Sequence, residues 1–201
     1  MTASTVDSAT EPVKHKKKGH VPGEEGIWIF ILGDMTVFAL FFVTFLFYRN
    51  ENIEMYITSQ MALNQNWGAI NTLLLLASSW FVVLGLNAVR RKLIPLAKKL
   101  YCLALACGLG FVLVKFFEWG EKIQGGHTLT SDEFFMFYYI FTGVHLLHVT
   151  IGIGVLSYII VLCGRQTIDE DQFGFVEGGS AFWHMVDLLW IVLFPLLYLL
   201  Q

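Results

Sequence analysis

The sequence predicts an all-α fold, a polytopic membrane bundle of five transmembrane helices with a cytoplasmic N-terminus and an outside, periplasmic C-terminus. Three observations lead there. Hydrophobic residues make up 56% of the chain, charged residues only 14%, and mean hydropathy is +0.62, whereas a soluble domain carries about 25% charged residues. Five apolar runs each approach the roughly 20 residues that a helix needs to cross a bilayer core of about 30 Å. Threading these runs alternately through a membrane puts ten of the 13 Lys and Arg on one side, and basic residues stay in the cytoplasm.

The elements follow in order. Residues 1–25, "MTASTVDSATEPVKHKKKGHVPGEE", are polar and lack the apolar stretch of a signal peptide. They read as a flexible cytoplasmic tail carrying Lys14, Lys16, Lys17 and Lys18 and ending after a Pro22-Gly23 turn. The membrane domain spans 26–201, with helices over about 26–48, 68–89, 96–117, 134–162 and 179–200. Arg90, Arg91, Lys92, Lys98 and Lys99 surround the second connection, and Arg165 lies in the fourth. Trp67 and Trp119 near outer ends and Trp28 near an inner end fit an interfacial aromatic belt, and Trp183 also lies near an inner end. No internal repeat divides the chain.

Several motifs are missing. There is no phosphate-binding G-x-x-x-x-G-K-[ST], no dinucleotide fingerprint, no H-E-x-x-H, and no Glu-x-x-His within the spans. Cys102, Cys107 and Cys163 show no metal, haem or disulfide spacing and read as packing residues. The expectation is no catalytic residue, no metal, no cofactor in this chain and no nucleic-acid partner.

What remains is polar chemistry at membrane depth. Asp34 stands in "GIWIFILGDMTVFALFF", roughly 12 Å in from the inner end at 1.5 Å per residue. His145 and His148 share one face of "FTGVHLLHVTIG", and His184 and Asp187 share one face of "FWHMVDLLWIVLFP". A charge at this depth costs about 2.5–3.5 kcal/mol or more, so such groups pair, turn inward or stay neutral. Asp34 reads as a lone acid, either simply buried or proton-related, and the other four as intramembrane polar pairs, His184 with Asp187 as partners. Gly143, Gly152 and Gly154 flank the two histidines and admit a neighbouring helix. Lys115, Glu118 and Lys122 read as a solvated charge cluster at the outer interface, with Glu118 and Trp119 as candidates for lipid or subunit contact.

Two other function classes fit less well. A haem-binding membrane cytochrome would need histidines on opposite sides of the haem, yet His145 and His148 lie on one helix face. A small transporter would show repeats or broken spans.

Four stretches in order carry a resemblance: "GIWIFILGDMTVFALFF", "FVLVKFFEW", "TGVHLLHVTIG" and "FWHMVDLLWIVLFPLLYL". Together they resemble subunit III of the haem-copper oxidases over residues 23–200. The chain looks like the five-helix type, as in the bo-type quinol oxidase subunit III or the subunit III-like protein associated with bacterial nitric oxide reductase. The wording "GDM" and "HLLHV" leans toward the latter branch. The family commonly has Glu where Asp34 stands and Gly where Leu146 stands. The resemblance implies a non-catalytic subunit of a respiratory cytochrome c or quinol oxidase in the bacterial inner membrane. It implies that haem and copper reside in subunit I, with subunit II as a further partner. This chain would then stabilise subunit I, support proton uptake and hold phospholipid. The alternative reading is an accessory protein of nitric oxide reductase.

Overall fold

A computed structural model describes residues 25–165 and 168–200. The tail predicted over 1–25 therefore lies outside the described residues, apart from Glu25. Six α-helices follow: α1 Glu25–Glu51, α2 Ile53–Met61, α3 Gln65–Arg90, α4 Ile94–Gln124, α5 Glu133–Cys163 and α6 Glu170–Phe194, which runs on through a π turn at Pro195–Leu199. Five of them are long and apolar enough to cross a membrane, and the chain is a multi-pass membrane protein.

The ends are set by local chemistry. The Asn64 side chain accepts the Asn66 N–H at 3.0 Å and starts α3, and Asp132 accepts the Phe135 N–H at 2.8 Å and starts α5. Asp169 and Gln172 form a reciprocal capping box that starts α6. That box moves the helix start back to Glu170, well before the expected 179, because "EDQFGFVEG" is helical without being apolar. Pro195 lacks the N–H that would close an ordinary turn, and the helix widens there, with the Leu200 N–H reaching the Pro195 carbonyl at 3.0 Å.

The short α2 was not expected. Its nine residues are too few and too polar to stand out by hydropathy. It closes the far end of the bundle, where Ser59 donates to Asp132 at 2.8 Å and Gln60 donates to the Leu197 carbonyl at 2.9 Å. Tyr56 packs edge-on against Phe45 and Phe134. Burial pushes its phenol up, and the Glu133 and Asp132 carboxylates add to the shift.

α3, α4, α5 and α6 form a closed ring, with neighbours packed α3–α4, α4–α5, α5–α6 and α6–α3. α1 leans on the outside of this ring. Its contact with α5 is a seam of rings: Phe41 and Phe45 against Phe141, and Phe45 and Tyr48 against Phe137. Phe30 meets Phe182 of α6.

Inside the ring, Trp183 is buried between Gly108 of α4 and Gly152 of α5. A β-carbon at those positions would stand 2.8 and 2.6 Å from the indole. Trp183 is thus a core residue and not part of a belt. Of the three glycines expected to admit a helix near the histidines, only Gly152 does so. Gly154 has nothing within 4 Å, and a β-carbon at Gly143 would meet Trp119 at an ordinary 3.8 Å. Cys163 is buried, but Cys102 is exposed.

Candidate functional site

The polar residues at membrane depth fall into three groups. The first lies inside the ring. Lys115 and Glu118 sit one turn apart on α4, both 0% exposed. The Lys115 ammonium donates to Glu118 Oε2 at 2.8 Å, to the Tyr198 hydroxyl at 2.8 Å and, at 3.4 Å, to the Tyr138 hydroxyl. Tyr138 in turn donates to Glu118 Oε1 at 2.8 Å, and Tyr198 donates to the same oxygen. The ammonium also lies 4.9 Å from the Trp190 ring centre. Each charge therefore has hydrogen-bond partners on more than one helix, which is what makes burial of an ion pair tolerable.

This corrects the expected solvated cluster. Glu118 turns inward and is fully buried within the chain, because α4 continues to Gln124 and carries Glu118 within the ring. Lys122 separates from the group and donates to the Ala62 carbonyl at 2.7 Å. Trp119 is half-buried against Tyr139. His145 lies close by, fully buried between Phe111 and Trp190, with no hydrogen-bond partner at either ring nitrogen. Of the contacts to other helices expected of His145 and His148, His145 has only these aromatic ones.

The second group lies on the α1–α5 seam. His148 Nε2 stands 3.1 Å from Asp34 Oδ1. Its Nδ1 lies 2.8 Å from the Val144 carbonyl. A carbonyl only accepts, so Nδ1 carries a hydrogen. Asp34 is thus a partnered acid and not the lone one expected, although its Oδ2 has no hydrogen bond.

The third group lies between α3 and α6. His184 Nδ1 is bonded to Ser79 Oγ at 2.7 Å. The expected direct pair with Asp187 is absent. The Asp187 carboxyl shares the same Ser79 hydroxyl, and its Oδ1 has no partner. The group extends a stripe that sequence reasoning missed: Glu177, Ser180, His184 and Asp187 recur every three or four residues. Glu177 accepts from Arg90 at 2.9 Å, and Ser180 lies 3.1 Å from the Tyr101 hydroxyl. Helical spacing alone marks this stripe once the helix is started at Glu170.

Among the described residues, no group of three or more His, Cys, Asp and Glu could hold a metal ion.

Comparison with known proteins places these features in context. Residues 6–201 match the family model described as cytochrome c oxidase subunit III. The chain is 31% identical over 186 residues to a haem-copper oxidase subunit I+III of Aeropyrum pernix, covering 86% of this chain and 22% of that one. It thus spans about a fifth of that longer relative. It is 26% identical to a quinol oxidase subunit 3 of Bacillus subtilis, over 87% of this chain and 85% of the relative. It is 30% identical to a cytochrome c oxidase subunit 3 of a Synechocystis species, over 87% and 74%.

Proposed function

We propose, because the chain belongs to the cytochrome c oxidase subunit III family, that it serves its complex without carrying a redox centre. It is a subunit III of a haem-copper oxidase, part of electron transport. The relatives' names favour this reading over an accessory of nitric oxide reductase.

Its partner is subunit I, with haem and copper held there, and its setting is the bacterial inner membrane with the α1 start on the cytoplasmic side. The single observation that carries the non-catalytic part is how the membrane histidines are used. His148 spends both nitrogens on Val144 and Asp34, His184 spends Nδ1 on Ser79, and His145 is sealed between aromatic rings. His148 and His145 are therefore unavailable to a haem. What these groups do is hold helices together. The seam is the natural place for this chain to influence proton uptake by subunit I, and the apolar outer faces suit bound phospholipid.

The test is purification of the oxidase with and without this chain. The complex lacking it should keep its haem and copper spectra and its initial turnover, and lose activity faster over successive turnovers. Loss of haem or copper signal in step with this chain would reject the reading.

A further inference from the structure

We propose that the ring binds ordered water at the layer of Asn71 and His145, a hydration site buried at membrane depth. Asn71 of α3 and His145 of α5 are each 0% exposed. Among the described residues, neither the amide oxygen and nitrogen of Asn71 nor the two ring nitrogens of His145 have a hydrogen-bond partner. Each of these side chains leaves two such atoms, where other buried side chains leave one at most. The two belong to one layer. Asn71 follows Gly68, where a β-carbon would stand 3.2 Å from Tyr198, and precedes Thr72, which accepts from Trp190 at 3.0 Å. Tyr198 and Trp190 both face the Lys115 ammonium, at 2.8 Å to the hydroxyl and 4.9 Å to the ring centre. From α5, His145 meets the same Trp190 with ring centres 5.2 Å apart, and meets Phe111 at 5.5 Å. The register of α3 against α4 agrees. Ser78 donates to the Ala104 carbonyl, and a β-carbon at Gly110 would meet Leu74 at 3.6 Å. One turn further along these antiparallel helices, Asn71 comes level with the turn from Phe111 to Lys115.

The class of ligand follows from the atoms on offer. A carboxamide presents two N–H donors and an accepting oxygen, and a neutral imidazole presents one donor and one acceptor. Polar atoms left unmet are costly where bulk solvent does not reach. Their complement is a small neutral molecule that donates and accepts at once. A cation would lie near the Lys115 ammonium, and an anion would compete with Glu118, which already holds that ammonium at 2.8 Å. Phe111 and Trp190 are fully buried and packed edge-on, with ring centres 4.9 Å apart, which favours the smallest such molecule. Buried water satisfies groups of this kind, usually with about three hydrogen bonds. Bound here, it extends the Lys115–Glu118 centre by one layer toward α3.

The experiment is X-ray hydroxyl-radical footprinting of the full chain in its native membranes. A brief pulse makes radicals from bound water where it sits, and mass spectrometry reads the oxidised side chains. Phe111 and Phe45 are the same residue type and both 0% exposed, but Phe45 is enclosed by the rings of Phe134, Phe137 and Phe141. Phe111 should be hydroxylated at least about fivefold faster than Phe45, because only it borders a bound water. The added oxygen should carry the isotope label when the membranes are equilibrated in labelled water. Asn71→Leu should bring Phe111 down to the rate of Phe45. Equal rates at the two rings in the unmodified chain would overturn the site, and so would a Phe111 rate that Asn71→Leu leaves untouched. The comparison within the unmodified chain decides by itself if that variant fails to assemble.

Discussion

The Lys115–Glu118 centre inside the ring and the Asp34–His148 couple on the α1 seam are both acid–base pairs at membrane depth. They are built differently. The first is fully buried and joined by two tyrosine hydroxyls and the Trp190 face, so three helices' worth of side chains and the π turn converge on it. The second has side chains 10% and 14% exposed, leaves Asp34 Oδ2 unbonded, and joins only a peripheral helix to α5. A pair of full charges survives out of water when many dipoles fix it, and it then has little freedom to change. The seam couple has fewer partners and an unbonded carboxyl oxygen, which leaves it more room to rearrange. The ring centre thus reads as architecture and the seam couple as the adaptable site.

The sharpest way to break this contrast is Glu118→Leu. It strands the buried Lys115 and should destabilise the chain by about 3–5 kcal/mol, seen as lost yield or lowered thermal stability of the detergent-solubilised complex. The double change Lys115→Met with Glu118→Leu should recover most of that loss; equal damage in single and double variants would refute the account. Next in size, Gly152→Ala pushes a methyl group into Trp183 and should cost about 1–3 kcal/mol by overpacking, measured the same way. Ser79→Ala removes the hydroxyl from His184 and should cost about 1 kcal/mol. Asp34→Asn keeps a hydrogen-bonding group opposite His148, so stability should move by less than about 1 kcal/mol. It should instead alter proton-coupled turnover or the rate of turnover-linked inactivation in the assembled oxidase. Unchanged activity and lifetime would remove the adaptable role from the seam.

Much of the fold was legible because lipid imposes one rule, long apolar helices, and the five runs declare themselves. The residues at stake were also legible, since Asp34, His145, His148, His184 and Asp187 stand out against their surroundings. Their partners were not. His148 finds Asp34 across 114 positions of sequence, and nothing in helical spacing announces a contact between distant helices. Lys115 and Glu118 read as surface charges because they sit near the end of an apolar run; only Tyr138 and Tyr198, brought in from α5 and the π turn, turn that end into an interior. Glu177 and α2 were missed for a simpler reason. Helices that are amphipathic or polar leave no mark on a hydropathy profile.

Trp183 between Gly108 and Gly152 works as a key in a slot. Sliding α6 by one turn, about 5.4 Å, would lift the indole out and drive it against side chains with no room for it. The vertical setting of the last helix is therefore locked at one depth. With it are locked the heights at which Glu177, His184 and Tyr198 meet their partners.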